Sequence, residues 1–222
     1  VSGSTITFAS NLVTGDVINF IQILGNVLDL GVPSDSTVSI AKLTATGTKN
    51  STTFLRGDNT FNAPPLGGIT VVDQFALTST FSLSNGANQI TANLARVNNG
   101  ENPGFIGTGM TESSGVFTFP STGIYLITFN AYTNSSGAAL YNTRHITVTL
   151  NNSSFATAAE SDGNFYTGTS YDGSSLQYIL DVTDTANVKV QFRIDGNGTN
   201  TQLIGSSSLN DTNFTFIRLG DT

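Results

Sequence analysis

The residues of this chain best equipped for chemistry are one histidine, a scatter of carboxylates, an Arg-Gly-Asp tripeptide and some aromatics set among small polar residues. His145 follows Arg144 at the head of the run Ile146-Thr147-Val148-Thr149-Leu150. A serine hydrolase would use it as general base beside a serine presented on a strand-turn-helix elbow. The chain carries no such elbow, and His145 reads as a strand-start or interface residue. Glu101, Glu112, Glu160, Asp162, Asp172, Asp181, Asp184, Asp195 and Asp211 are the carboxylates from which a glycosidase would draw a pair, held roughly 5–9 Å apart in a cleft. Most stand in Gly-bearing clusters, where aspartate caps a turn by bonding its own backbone. Ca2+ ligation through oxygen is the other chemistry open to them, although no EF-hand spacing occurs.

Arg56-Gly57-Asp58 has the form of an integrin-binding tripeptide. It also has the form of a tight turn, with Gly57 bending the chain and Arg56 and Asp58 on its solvent side, which is the simpler reading. The stretch Asn152–Ser175 reads as a loop holding Phe155, Phe165, Tyr166 and Tyr171. Aromatic rings with short polar neighbours suit recognition of a carbohydrate or protein surface. The alternative is that these rings plug the end of a sandwich or a seam between subunits.

The elements that must position such groups are strands. In Gly115–Asn134 two runs hinge at Pro120-Ser121-Thr122-Gly123 and read as a hairpin. Phe117 and Phe119 share one side of the first run; Tyr125, Ile127, Phe129 and Ala131 share one side of the second, opposite Leu126, Thr128 and Asn130. This period of two, rich in aromatic and β-branched residues, marks strands. Large apolar groups on both sides of the second run imply that protein covers both faces, another subunit included.

Composition agrees. Of 222 residues only 10% are charged, against about 25% in an average protein. Ser, Thr and Asn carry the polar duty and 23 Gly supply turns, as in a many-stranded β protein. The net charge of −7 leaves no basic patch for nucleic acid. The absence of cysteine excludes disulfides and thiolate metal sites. No apolar run approaches the roughly 18–20 residues that span a bilayer. Val17–Leu30 is interrupted by Asn19, Gln22, Asn26 and Asp29 and lacks a basic flank, so it does not read as a signal peptide.

Three segments are expected. Residues 1–30 read as short strands, at Thr5–Phe8 and Val17–Leu24, the latter open also to a helix of about three turns but tilted to strand by its β-branched content; they are too few to be stable without a partner. Residues 31–67 form a Ser/Thr/Gly/Pro-rich linker closed by Pro64-Pro65 and Gly67-Gly68. Residues 68–222 form a head, with strands expected near 69–76, 78–83, 89–95, 115–120, 124–133, 144–150, 176–182, 187–194 and 212–219. Turns are expected at Asn85-Gly86, Asn98-Asn99-Gly100, Ser136-Gly137, Asp162-Gly163, Asp172-Gly173 and Asp195-Gly196. So many strands without a helical stripe imply a sandwich or barrel.

Three elements of the head resemble the jelly-roll domain shared by the complement first-component globular head and tumour necrosis factor. They are Phe117–Phe129, Asp184-Thr185-Ala186-Asn187-Val188-Lys189-Val190, and Phe214-Thr215-Phe216-Ile217-Arg218-Leu219. The linker is similar to segments of bacteriophage tail fibres. Pro33-Ser34-Asp35 precedes an apolar-small-Lys-Leu strand ending at Lys42-Leu43. Phe54-Leu55-Arg56-Gly57-Asp58-Asn59-Thr60-Phe61 resembles a phage signature in which Gly and Trp stand at the positions of Asn59 and Phe61. Asn59 can accept left-handed angles and Phe61 keeps an aromatic anchor.

These resemblances imply an all-β homotrimer, with a jelly-roll β-sandwich head on a short β-rich N-terminal stalk. Phe117, Phe119, Tyr125, Ile127, Phe129, Phe214 and Phe216 would fill the core or the trimer seam. The implied function is a non-enzymatic viral structural protein, a tail fibre or spike that attaches to a host-surface glycan or protein. Residues 1–30 would join other virion proteins. A capsid decoration or cement protein is the alternative, with a polysaccharide depolymerase or a bacterial adhesin tip behind it. The expected place is the virion, on the tail or the capsid surface. No cofactor, metal, nucleic acid or membrane insertion is expected.

Overall fold

The computed structural model describes residues 7–21, 39–64, 68–96, 104–137, 141–197 and 200–222. The chain divides into two compact units, Val1–Gly67 and Gly68–Thr222.

In the first unit, residues 7–21 hold no strand, which corrects the expectation there. Val17 and Phe20 are 79% and 81% exposed, so no strand among the described residues covers them. The rest of that expectation, over 1–6 and 22–30, lies outside the described residues, as do the turn at 31–36, Asn98–Gly100 and Glu101. The apolar-small-Lys-Leu stretch is a correction too: Ile40–Lys42 is a single 3-10 turn. Lys49 Nζ donates to the carbonyls of Ile40 (3.3 Å) and Leu43 (2.9 Å), tying that turn down. Beyond it, β1 (Phe54–Leu55) and β2 (Phe61–Asn62) pair antiparallel.

The second unit is all β. Its strands are β3 (Val72–Leu77), β4 (Phe81–Leu83), β5 (Gly86–Gln89), β6 (Leu94–Arg96), β7 (Phe105–Ile106), β8 (Thr111–Ser113) and β9 (Val116–Thr118). They continue as β10 (Gly123–Ser135), β11 (Tyr141–Thr149), β12 (Ala156–Asn164), β13 (Ser170–Val182), β14 (Lys189–Gly196), β15 (Thr201–Leu203) and β16 (Asn213–Gly220). One sheet runs β4-β15-β10-β16-β3-β6, with β13 on the other edge of β10 and β7 on β3; the second runs β12-β11-β14-β9-β8, with β5 on β14. Successive long strands cross from sheet to sheet: β9 to β10, β10 to β11, β12 to β13, β13 to β14 and β14 to β16. Among the strands of eight residues or more, β11 and β12 are the successive pair that stays within one sheet. That strand order is a jelly-roll sandwich.

Gly115–Asn134 is thus not a hairpin. β9 pairs with β14 and β8, while β10 lies in the opposite sheet, so the hinge is a corner between sheets. Gly123 sits at this corner with φ +142°, and a Cβ there would stand 2.5 Å from both Arg218 Nε and the carbonyl oxygen of Gly220. Only glycine fits. Arg218 Nε donates to the Thr122 carbonyl (2.9 Å) and closes the corner.

The inner faces meet in an aromatic core. Phe117 and Phe192 come from one sheet; Phe75, Phe129, Phe214 and Phe216 come from the other. Phe192 and Phe214 touch across the gap at 4.4 Å between ring centroids, and Phe117 meets Phe75 and Phe216 at 5.1 Å.

Buried ion pairs pin the margins. Asp73, wholly buried on β3, receives Arg96 through two nitrogens (2.9 and 2.8 Å) and the Met110 N–H (2.6 Å). The Arg96 guanidinium lies 4.7 Å from the Phe75 ring centre and 4.5 Å from that of Phe105. On β11, wholly buried Arg144 reaches Asp172 of β13 and Thr133 Oγ1 of β10 (3.2 Å), joining the two sheets.

Most of the expected loop over 152–175 is replaced by β12 and the first six residues of β13. β10 and β13 pair without interruption from Gly123 opposite Val182 to Ser135 opposite Ser170. Asp162-Gly163, Asp172-Gly173 and Asp195-Gly196 lie inside strands and are not turns. At Gly163 a side chain would occupy the space of the Arg144–Asp172 pair. At Gly196 it would strike the Ser84 carbonyl oxygen at 2.5 Å. Gly163 and Gly196 record close approach, not reversal of the chain.

Phe214→Ala is expected to lower unfolding free energy by about 3–5 kcal/mol, because it opens a cavity at the meeting point of the two sheets. Tyr166→Ala, on a side chain 84% exposed, is expected to stay within about 0.5 kcal/mol. Urea unfolding of both variants measures the difference.

Candidate functional site

His145 stands on the outward side of β11, between Glu160 of β12 and Arg193 of β14 in register. Its Nδ1 is 3.5 Å from Glu160 Oε2, and its Nε2 is 3.2 Å from both Asp195 Oδ2 and Arg193 Nη2. Arg193 Nε pairs with Asp195 Oδ1 at 2.8 Å. Both ring nitrogens face charged groups, so neither is turned to a serine hydroxyl. Asp172 is engaged by Arg144, Asp162 Oδ1 accepts from Thr143 Oγ1 (2.6 Å), and Glu112 Oε1 accepts from the Gly115 N–H (2.6 Å). Asp184 accepts from the Ala186 N–H (2.8 Å) and the Asn187 side-chain amide (2.6 Å), which hold its carboxyl below the usual value. Asp181 is exposed and Asp211 half-buried. Among the described residues, no group of three or more His, Cys, Asp or Glu is placed to hold a metal.

Arg56-Gly57-Asp58 forms the tip of the β1–β2 hairpin. The left-handed residue there is Asn59 (φ +62°), not Gly57. Arg56 and Asp58 are side by side at 3.8 Å, and Asp58 Oδ1 accepts from Thr60 Oγ1 (2.6 Å) and the Thr60 N–H (3.1 Å). Phe61 donates its N–H to the Thr46 carbonyl (2.7 Å), anchoring the tip on the preceding chain. The carboxylate that would meet an integrin is thus turned back on its own hairpin.

The aromatics separate. Phe165 is 7% exposed and belongs to the interior, so its expected surface role is corrected. Phe155 is half-buried, Tyr166 projects into solvent, and Tyr171 is 60% exposed. Tyr171 stacks on Tyr132 of β10, with ring centres 5.8 Å apart and planes at 22°. Tyr132 was not among the expected contact residues. Its signal was its place on the Leu126–Thr128–Asn130 side of β10.

Phe117, Phe119, Tyr125, Ile127, Phe129, Phe214 and Phe216 are all buried within the one chain. What the sheet offers outward is the opposite side of the same strands. Ile179, Leu126, Ile217, Val72 and Ile106 stand in register across β13, β10, β16, β3 and β7 as one apolar row. Ile179 and Ile106 are 60% and 54% exposed; Leu126, Ile217 and Val72 are half-buried. The next row is polar, Gln177-Thr128-Thr215-Gln74, with Gln74 Nε2 bonded to Thr215 Oγ1 at 2.8 Å.

No protein-family model and no curated protein sequence matches the chain. Among solved structures, murine APRIL at pH 8.5 is similar at TM-score 0.47 and 13% identity, over 67% of this chain and 98% of that one. Murine APRIL at pH 5.0 is similar at TM-score 0.49 and 11% identity, over 68% of this chain and 100% of that one.

The Asp58 carboxyl is held below 3.8, first by the Thr60 hydroxyl and then, against slight desolvation, by the Thr60 N–H and Arg56. A depressed folded-state value stabilises the hairpin above the unfolded value, and that support is lost as pH falls through the folded one. Carboxyl-carbon NMR titration should place Asp58 below 3.8, and Thr60→Val should raise it.

Proposed function

We propose that the chain is a non-enzymatic structural protein of a virion, a homotrimeric fibre or spike that attaches the particle to a host surface. The observation that carries the reading is the apolar row Ile179-Leu126-Ile217-Val72-Ile106, which crosses five strands of one sheet and which no described strand of the second unit packs over. A row of branched side chains left open to water favours burial at about 25 cal/mol per Å². A second and third copy of the same face supply that burial with closed symmetry. The Phe54–Phe61 resemblance to tail-fibre linkers supports the virion. The environment of His145, enclosed by Glu160, Asp195 and Arg193, supports binding over hydrolysis.

In this reading residues 1–30 join other virion proteins, 31–67 form a stalk and 68–222 a receptor-facing head. Capsid decoration keeps the trimer and changes its place. Antibody labelling of intact particles separates the two: tail labelling supports the fibre, lattice points on the capsid support decoration, and absence from particles overturns both.

Light scattering should give about 70 kDa, three copies of the 23.2 kDa chain. Ile217→Asp, in the middle of the row, should yield folded single chains. A 23.2 kDa wild-type species at micromolar concentration overturns the trimer.

A further inference from the structure

Six residues beyond Leu126, about 20 Å along β10 at ~3.3 Å per residue, the same sheet face changes character. Here Tyr132, Asn130, Gly173, Ser175, Asn210 and Asp211 line an open groove of about 500 Å³, inside the ~300–1,000 Å³ range of ligand sites. Tyr171 stacks on Tyr132 and extends the ring surface outward.

Gly173 is the telling residue. It lies inside β13 directly opposite Tyr132, where glycine weakens a strand. Neither of the usual reasons for glycine applies. Its φ is not among the positive ones, and a Cβ would come no nearer than 4.0 Å to any neighbour, the Tyr132 ring. Its effect is to leave bare the side of that ring nearest Gly173, beyond the part Tyr171 stacks on.

The polar groups round the ring are mostly acceptors. Asn130 Nδ2 donates one hydrogen to Asn213 Oδ1 (2.8 Å) and Asn210 Nδ2 one to Gln74 Oε1 (2.6 Å), so each amide keeps its carbonyl oxygen and a single further N–H for the groove. The Asp211 carboxylate has no hydrogen-bond or ionic partner among the described residues. No lysine or arginine lines the groove. Acceptors around an aromatic face call for a ligand with many hydroxyl donors and one apolar C–H face. The negative face of the ring attracts such C–H groups. A carboxylate without a neighbouring cation turns away an anionic ligand.

We propose that this groove binds a neutral pyranose of a surface glycan, one C–H face packed on Tyr132 and Tyr171 and its hydroxyls donating to Asp211 and Asn130. The inference rests on the attachment reading for its biological role; its chemistry stands on the groove.

The test is saturation-transfer NMR on the full chain. The probes are the methyl glycosides of glucose, galactose, mannose, fucose and N-acetylglucosamine, with methyl glucuronide as the anionic control. At least one neutral glycoside should receive saturation, strongest at the C–H protons of one ring face, and the glucuronide none. Tyr171→Ala should weaken binding about tenfold. Gly173→Val should abolish it while leaving thermal stability equal or higher, which a merely structural glycine would not do. No transfer from any neutral glycoside, preference for the glucuronide, or binding unchanged in Gly173→Val each overturns the proposal. The mass measured on the same sample keeps the two readings apart. A trimer without saturation transfer sinks the groove alone, and a monomer with transfer sinks the trimer alone.

Discussion

The second unit depends on one contact, the meeting of Phe192 and Phe214 between the two sheets. Each ring is held by others: Phe129 stacks on Phe214 at 5.0 Å, and Phe117 edges onto Phe192 at 5.5 Å. A jelly roll has few contacts that are local in sequence, so its long connections close only when distant strands have something large to bury. Aromatic rings suit that task because each removes much surface from water while losing few rotamers. With no helix among the described residues of this unit and no cysteine, this cluster is what keeps the sheets at one spacing, and every outward-facing row inherits its register from it.

The two buried ion pairs have another role. Removing charge from water is expensive, and a hydrophobic pair of equal volume is often as stable. What Asp73–Arg96 adds is position. It gathers β3, β6 and the chain around Met110 on one carboxylate, with the guanidinium held by Phe75 and Phe105. Arg144–Asp172 does the same where β11 faces β13, at the residue next to Tyr171. Thr133 and Asn142, both wholly buried, complete this polar end of the sandwich through a hydrogen bond of 3.3 Å. A misplaced strand would leave a bare charge inside, a stronger penalty than a misplaced leucine.

Much of this fold was legible. Alternation in Tyr125–Ala131 and Phe214–Phe216 marks strands because each has one dry side, and the all-β character follows from composition. β12 was hidden because Ala156-Thr-Ala-Ala-Glu-Ser-Asp-Gly-Asn164 has one β-branched residue, Thr157, and no aromatic. It is an edge strand that borrows its conformation from β11, so pairing overrides propensity. The Asp-Gly pairs misled for a related reason: glycine tolerates turns and close approach alike, and only the neighbours across the sheet distinguish them. Gly115–Asn134 carried its strands in full, yet not their partners, since pairing between sheets leaves no mark in local sequence. The groove at Tyr132 was invisible in sequence because its walls come from β10, β13 and the chain before β16.

β3 and β16, the first and last long strands of the second unit, are antiparallel neighbours. Ile217 lies opposite Val72, and the Arg218 N–H donates to the Val71 carbonyl at 2.9 Å. The chain therefore comes in and goes out at one end of one sheet. A fold whose ends already touch can be transplanted as a cassette, fused behind a foreign shaft or spliced into a surface loop, without any strand being drawn out of place.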